Sequence, residues 1–160
     1  MFGLLLVGAS AVAAPPGTEV ELLRGGRRVE LSPAARAYFA TELPRLFSTC
    51  SVNSRLHPKA FAKSSAGARL QEAQAGDHLA VRLTVARNVG HPLEAEIRAS
   101  ELIVGLAHHR RYPGPFLSRD GSSVVAHAKC AGGDIIRFVC AAEVKTLMPA
   151  GYHQNCDLLK

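Results

Sequence analysis

The sequence predicts an α+β fold, an N-terminal helix packed on an antiparallel β-meander of four to five strands and stapled by disulfides. Three observations carry that prediction. Ser32-Pro33 opens a stretch in which Ala35, Phe39, Leu43 and Leu46 or Phe47 recur at helical spacing. From His78 the pattern changes to period two, with Leu79, Val81, Leu83 and Val85 alternating against Ala80, Arg82 and Thr84. The chain also holds four cysteines, Cys50, Cys130, Cys140 and Cys156, an even number suited to pairing.

In chain order, MFGLLLVGASAVAA is an apolar run too short to span a bilayer, and Ala11-Val12-Ala13 is an A-x-A cleavage signal ahead of Ala14-Pro15-Pro16. Residues 1–13 therefore read as a signal peptide and 14–160 as a single α+β domain. The departure from the pattern is that no Lys or Arg precedes the apolar run. Thr18 to Arg24 and Arg27 to Leu31 then read as a hairpin, because Gly25-Gly26 can supply the positive φ angles of a two-residue turn. The helix is expected from Pro33 to Phe47, with Ser32 as its N-cap and Pro33 at the first helical position. Pro44 removes the amide that would bond to Ala40, so the helix is expected to kink there or to end and restart.

From Ser51 to Asp77 the chain is rich in Ala, Ser and charge and reads as loop with helical turns, one starting at Pro58 and one over Ala68 to Ala75 closed by Gly76. Its length marks it as a mobile or functional segment. His78 to Arg87 and Leu93 to Leu106 follow as paired strands, with a bulge or bend near Ser100, where Glu101 takes a position in the apolar phase. Phe116 to Arg119 reads as a short strand. The segment from Val124 to Cys140 is expected to be the central hairpin, VVAHAKC and IIRFVC around Gly132-Gly133. That register would put Cys130 and Cys140 on opposite sheet faces and so disfavours a bond between them. The tail is expected to hold one helical turn before Pro149 and then a loop.

The formal net charge of +6 lies in residues 14–160, since residues 1–13 carry no charged side chain, and the expected partner is an anionic ligand or another protein. Two clusters concentrate it. Between Glu42 and Glu72 lie Arg45, Arg55, Lys59, Lys63 and Arg69 with no acid, and His108, His109, Arg110 and Arg111 stand together before Tyr112. The prolines of Tyr112-Pro-Gly-Pro115 keep the second cluster out of a sheet interior, so His108 to Tyr112 are the candidate binding residues. Tyr112 is the one aromatic beside them, which argues against nucleic acid, a partner that calls for stacking platforms. No later stretch is long and apolar enough to span a membrane. Paired cysteines and a leader place the mature chain in the periplasm or outside the cell.

Two H-x-x-C pairs, His127 with Cys130 and His153 with Cys156, have the residue types of a zinc set. Positions three apart in a strand point to opposite faces, so His127 and Cys130 do not converge on one ion, and neither a metal nor another cofactor is expected. His127, Lys129 and His153 are the candidates if the chain is a small ribonuclease- or phosphodiesterase-like hydrolase, where two imidazoles and a cation flank a phosphate. G-x-S-x-G, H-E-x-x-H, G-x-x-x-x-G-K-[ST] and G-x-G-x-x-G are all absent from the sequence.

One helix followed by a strand meander, with disulfides toward the C-terminus, resembles the cystatin-like folds in topology. The resemblance implies an inhibitor module as one further reading. The sequence departs from it at Leu102-Ile103-Val104-Gly105, which lacks the glutamine of the inhibitory loop, in having no tryptophan, and at Cys50, which lies outside the late pairing pattern. The expectation with the fewest requirements is a small exported binding or accessory domain with a basic surface, because it needs no convergent catalytic set.

Overall fold

The computed structural model describes residues 16–56, 58–89, 97–106, 116–119, 124–153 and 156–159. Strands β1 (Thr18–Arg24) and β2 (Arg27–Val29) form the opening hairpin, and the turn between them holds Gly25 at φ +56° and Gly26 at φ +72°. Two successive positive φ values are the twist that a tight hairpin requires and that side-chain-bearing residues resist. Asp77 fastens this turn to the body of the protein, accepting a hydrogen bond from the Gly25 amide at 2.5 Å.

Helix α1 (Pro33–Ser48) starts where Ser32 Oγ accepts from the Ala35 amide at 3.1 Å. Pro44 neither ends nor divides it: a single helix runs through that position. Its buried face carries Ala35, Phe39, Leu43, Leu46 and Phe47, at the helical spacing the sequence displays. Strand β3 (Ser51–Leu56), helix α2 (Pro58–Ala62) and helix α3 (Ser65–Ala75, closed by Gly76) occupy the segment expected to be loop with helical turns. The helical turns stand, and β3 is the correction. Strands β4 (His78–Val89), β5 (Ile97–Gly105), β6 (Phe116–Arg119) and β7 (Val124–Lys129) then form an antiparallel meander.

One sheet of seven strands results, in the order β2-β1-β4-β5-β6-β7-β3. The four-strand meander is its centre, the β1–β2 hairpin extends one side and β3 the other. The irregularity expected near Ser100 is present, but the extra residues lie on the partner strand: the β4–β5 register shifts between Arg82 and Arg87, opposite Glu101 and Ala99. Ala99 is thereby turned into the core, although it shares the sequence parity of Glu101.

The second arm of the expected hairpin is not a strand. Gly132–Cys140 is helix α4, with Asp134 in its first turn, where the helix dipole favours an anion, and Arg137 bonded back to Asp134 at 3.1 Å. Phe138 and Val139 are buried, and Phe138 stacks on Tyr38 with ring centroids 5.7 Å apart. A short 3-10 turn (Lys145–Leu147), helix α5 (Ala150–His153) and a second 3-10 turn (Cys156–Leu159) complete the tail.

The core lies between α1, α4 and one face of the sheet, the inner face, and unites Leu22, Phe39, Phe47, Leu79, Val81, Leu102, Val144 and Met148. On the other, outer face Ala80 and Ile103, which lie opposite each other, are also buried, and α3 packs against β5 there. Helices thus cover both faces, with α1 and α4 inside and α2 and α3 outside.

All four cysteines are paired. Cys50, just past α1, bonds Cys130, just past β7, and Cys140, at the end of α4, bonds Cys156. No bond joins Cys130 to Cys140, in line with the sequence expectation. The reason differs from the one the hairpin supplied, since Cys140 ends a helix and has no strand register.

Candidate functional site

Strand register fixes where the candidate residues of β7 stand. Leu102 of the core lies opposite Leu117, which lies opposite Ala126, so Ala126 takes the inner-face register. His127 and Lys129 therefore take the outer one, opposite Ser54 and Ser51 of β3. Helix α2 packs against β7 and β3. His153 belongs to the other side of the sheet: it follows Tyr152, a member of the inner core, and its Nε2 lies 2.6 Å from the Lys145 carbonyl oxygen. A carbonyl only accepts, so Nε2 carries the hydrogen in this contact. The sheet stands between His153 and the pair on β7. His127 and Lys129 share a face; the third candidate does not join them.

In each H-x-x-C pair the cysteine is spent in a disulfide, Cys130 with Cys50 and Cys156 with Cys140, and a disulfide sulfur is not the thiolate that zinc requires. Among the described residues no group of three or more His, Cys, Asp or Glu side chains is placed to hold a metal ion. His108, His109, Arg110, Arg111 and Tyr112 lie outside the described residues.

The acid-free run between Glu42 and Glu72 is divided by the fold. Arg45 pairs with Glu42 at 2.5 Å on α1. Arg55 lies opposite Ala126 and so takes the inner-face register. Lys59, Lys63 and Arg69 belong to the outer layer, on or beside α2 and α3, and all three are exposed.

An ionic ladder that composition does not disclose covers the outer face at the opposite side of the sheet. Arg82 of β4 reaches Glu101 of β5 at 2.9 Å and Glu21 of β1 at 3.1 Å, and Arg28 of β2 bonds Glu21 at 2.8 Å. Four strands are laced by these contacts. The hydrogen bond from Arg28 holds the Glu21 carboxyl below the usual carboxylate range against the opposing effect of burial. Burial works against the charge of Arg82, but its hydrogen bonds to Glu101 and Glu21 outweigh it and raise that guanidinium further. The legible signal is the polar phase of the alternation in β1 and β4, which sets Glu19, Glu21 and Arg82 on one face.

The fold and the placement of the charged groups can be set beside those of known proteins. No family model, curated protein or solved structure matches the chain. Its chemistry rests on the residues themselves: a self-neutralised ladder on β2, β1, β4 and β5, and cations on α2, α3 and β7.

Proposed function

We propose that this chain is an exported, disulfide-stabilised binding domain with an anionic ligand, acting in the periplasm or outside the cell. The observation that carries the reading is the pairing of every cysteine, Cys50 with Cys130 and Cys140 with Cys156. Such bonds persist where the surroundings are oxidising and are rare in the cytosol. The apolar run ending in Ala11-Val12-Ala13 supports export, and the net charge of +6 supports an anionic ligand. No helix among the described residues is long and apolar enough to cross a membrane.

Expression of the full chain with its leader tests the reading. Mass spectrometry of the exported protein is expected to find the new N-terminus at Ala14, and thiol titration of unfolded, unreduced protein almost no free cysteine. Retention in the cytosol with four reactive thiols would overturn it.

A further inference from the structure

The two ends of the outer sheet face differ in how their charge is balanced. At the β1–β4–β5 end the cations Arg28 and Arg82 are matched by Glu19, Glu21 and Glu101. Toward the β7–β3 end, α2 carries Lys59 and its link to α3 carries Lys63; α3, which packs on α2 and β5, carries Arg69 and one carboxylate, Glu72, and β7 adds His127 and Lys129 at outer-face register with no acid of its own. Lys63 and Arg69 are exposed and have no ion-pair partner among the described residues. Contacts of α2 with β7, β3 and α3 join these groups in one layer on the outer face. Spaced cations in excess of the acids among them form a positive surface for a linear polyanion.

We propose that this outer layer, α2 and α3 with the β7–β3 end of the sheet, is the docking surface for a polyanionic glycan, a polysaccharide carrying sulfate, phosphate or carboxylate groups. The inference rests on the exported, anion-binding reading above and names the ligand class and the surface. Three features favour a glycan over other polyanions. Single-stranded nucleic acid calls for aromatic platforms among the cations, and Phe61 is the one aromatic residue in α2 and α3. Insertion at a bilayer surface calls for a broad face of large apolar side chains, whereas α3 reads SAGARLQEAQA with Leu70 as its one large apolar residue. The anionic leaflet that draws polybasic surfaces electrostatically is the cytoplasmic one, which an exported chain does not face.

The test uses the mature protein and heparin as the sulfated-glycan probe, with single-stranded DNA and phosphatidylserine vesicles as the competing polyanions. Lys63→Ala/Arg69→Ala is compared with the parent and with Arg110→Ala/Arg111→Ala at low and physiological salt. Circular dichroism is expected to be unchanged in the first variant, since both side chains are exposed. The parent is expected to bind heparin more tightly than DNA or vesicles, with affinity falling steeply as salt rises. Lys63→Ala/Arg69→Ala is expected to lower that affinity several-fold and to flatten its salt dependence by about one ion released per cation removed. Unchanged heparin binding in a folded Lys63→Ala/Arg69→Ala variant, with loss in Arg110→Ala/Arg111→Ala, overturns the surface and leaves the anion-binding reading standing. Tighter binding to DNA or vesicles overturns the glycan assignment. A parent that binds none of the three overturns both.

Discussion

Tyr38 shows how one side chain joins local sequence to packing. Its ring is sandwiched into the α1–α4 contact, stacked on Phe138 and set edgewise to Phe39 at 6.1 Å, while its hydroxyl donates to the Phe138 carbonyl at 3.0 Å. Desolvation by burial, reinforced by the carboxylates of Glu42 and Glu143, pushes the phenol up to about 12. The folded value lies above that of an unfolded tyrosine, so the stability this imparts is fully present below about pH 10 and is lost as pH rises through about 12. Tyr38→Phe keeps the ring and removes the hydroxyl, so it is expected to cost about 1 kcal/mol in urea unfolding at neutral pH. In an ultraviolet titration the parent-minus-variant difference is expected to rise near pH 12 in the folded protein and near pH 10 in urea. A difference that rises near pH 10 in both states would count against the buried hydroxyl.

Pro44 poses the sharpest question among the elements, because local rules and the observed helix disagree there. Proline in a helix interior lacks the amide that bonds four residues back, yet α1 continues from Pro33 to Ser48. Burial of Leu43, Leu46 and Phe47 on either side of Pro44 holds the helix in place against that cost. Pro44→Ala restores the missing hydrogen bond to Ala40 and is expected to raise stability by about 1 kcal/mol or more, read as a higher urea midpoint with an unchanged slope. A lower midpoint would mean that the proline ring contributes packing that outweighs the lost bond. The same contest between local signal and tertiary packing explains what was legible in the sequence. Gly25-Gly26, the Ser32 cap, the alternation of β4 and the run Phe116 to Arg119 each state their structure locally, and each is found as read. Gly132–Cys140 reads as strand by its Ile, Val and Phe content, but Ile135, Phe138 and Val139 also fit helical spacing. Stacking of Phe138 on Tyr38 settles that ambiguity, and no local rule contains it. Strand β3 carries no local strand signal, because SVNSRL is mostly polar, as suits an edge strand, and its register shifts between Val52 and Ser54. The candidate site was legible only as residue types: the sequence lists His127, Lys129 and His153, and only the strand register shows that the sheet divides them.

At the scale of the whole molecule, the disulfides secure two different extremities. Cys50 immediately precedes β3 and Cys130 immediately follows β7, so their bond closes the ladder whose first register pair is Ser51 with Lys129. Edge strand β3 pairs with β7 alone and leads into α2, which packs on both, so this crosslink fastens that end of the outer layer, while α3 is held separately by its packing on β5. The bond of Cys140 to Cys156 instead ties the tail to α4 and spans 16 positions, against 80 for the other. Loop-closure entropy assigns about 3 kcal/mol to the shorter loop and about 4 to 5 kcal/mol to the longer. Removing them should therefore differ in place as well as in size. Hydrogen exchange read by mass spectrometry is expected to show Cys50→Ala/Cys130→Ala losing protection first over residues 51–56, 58–62 and 124–129, while β1 and β4, bound to each other and to α1, stay protected. Cys140→Ala/Cys156→Ala is expected to lose it over 132–153 and leave β3 intact. Uniform loss in both variants would show instead that the crosslinks act on one cooperative unit, because the outer layer would then have no opening of its own to restrain.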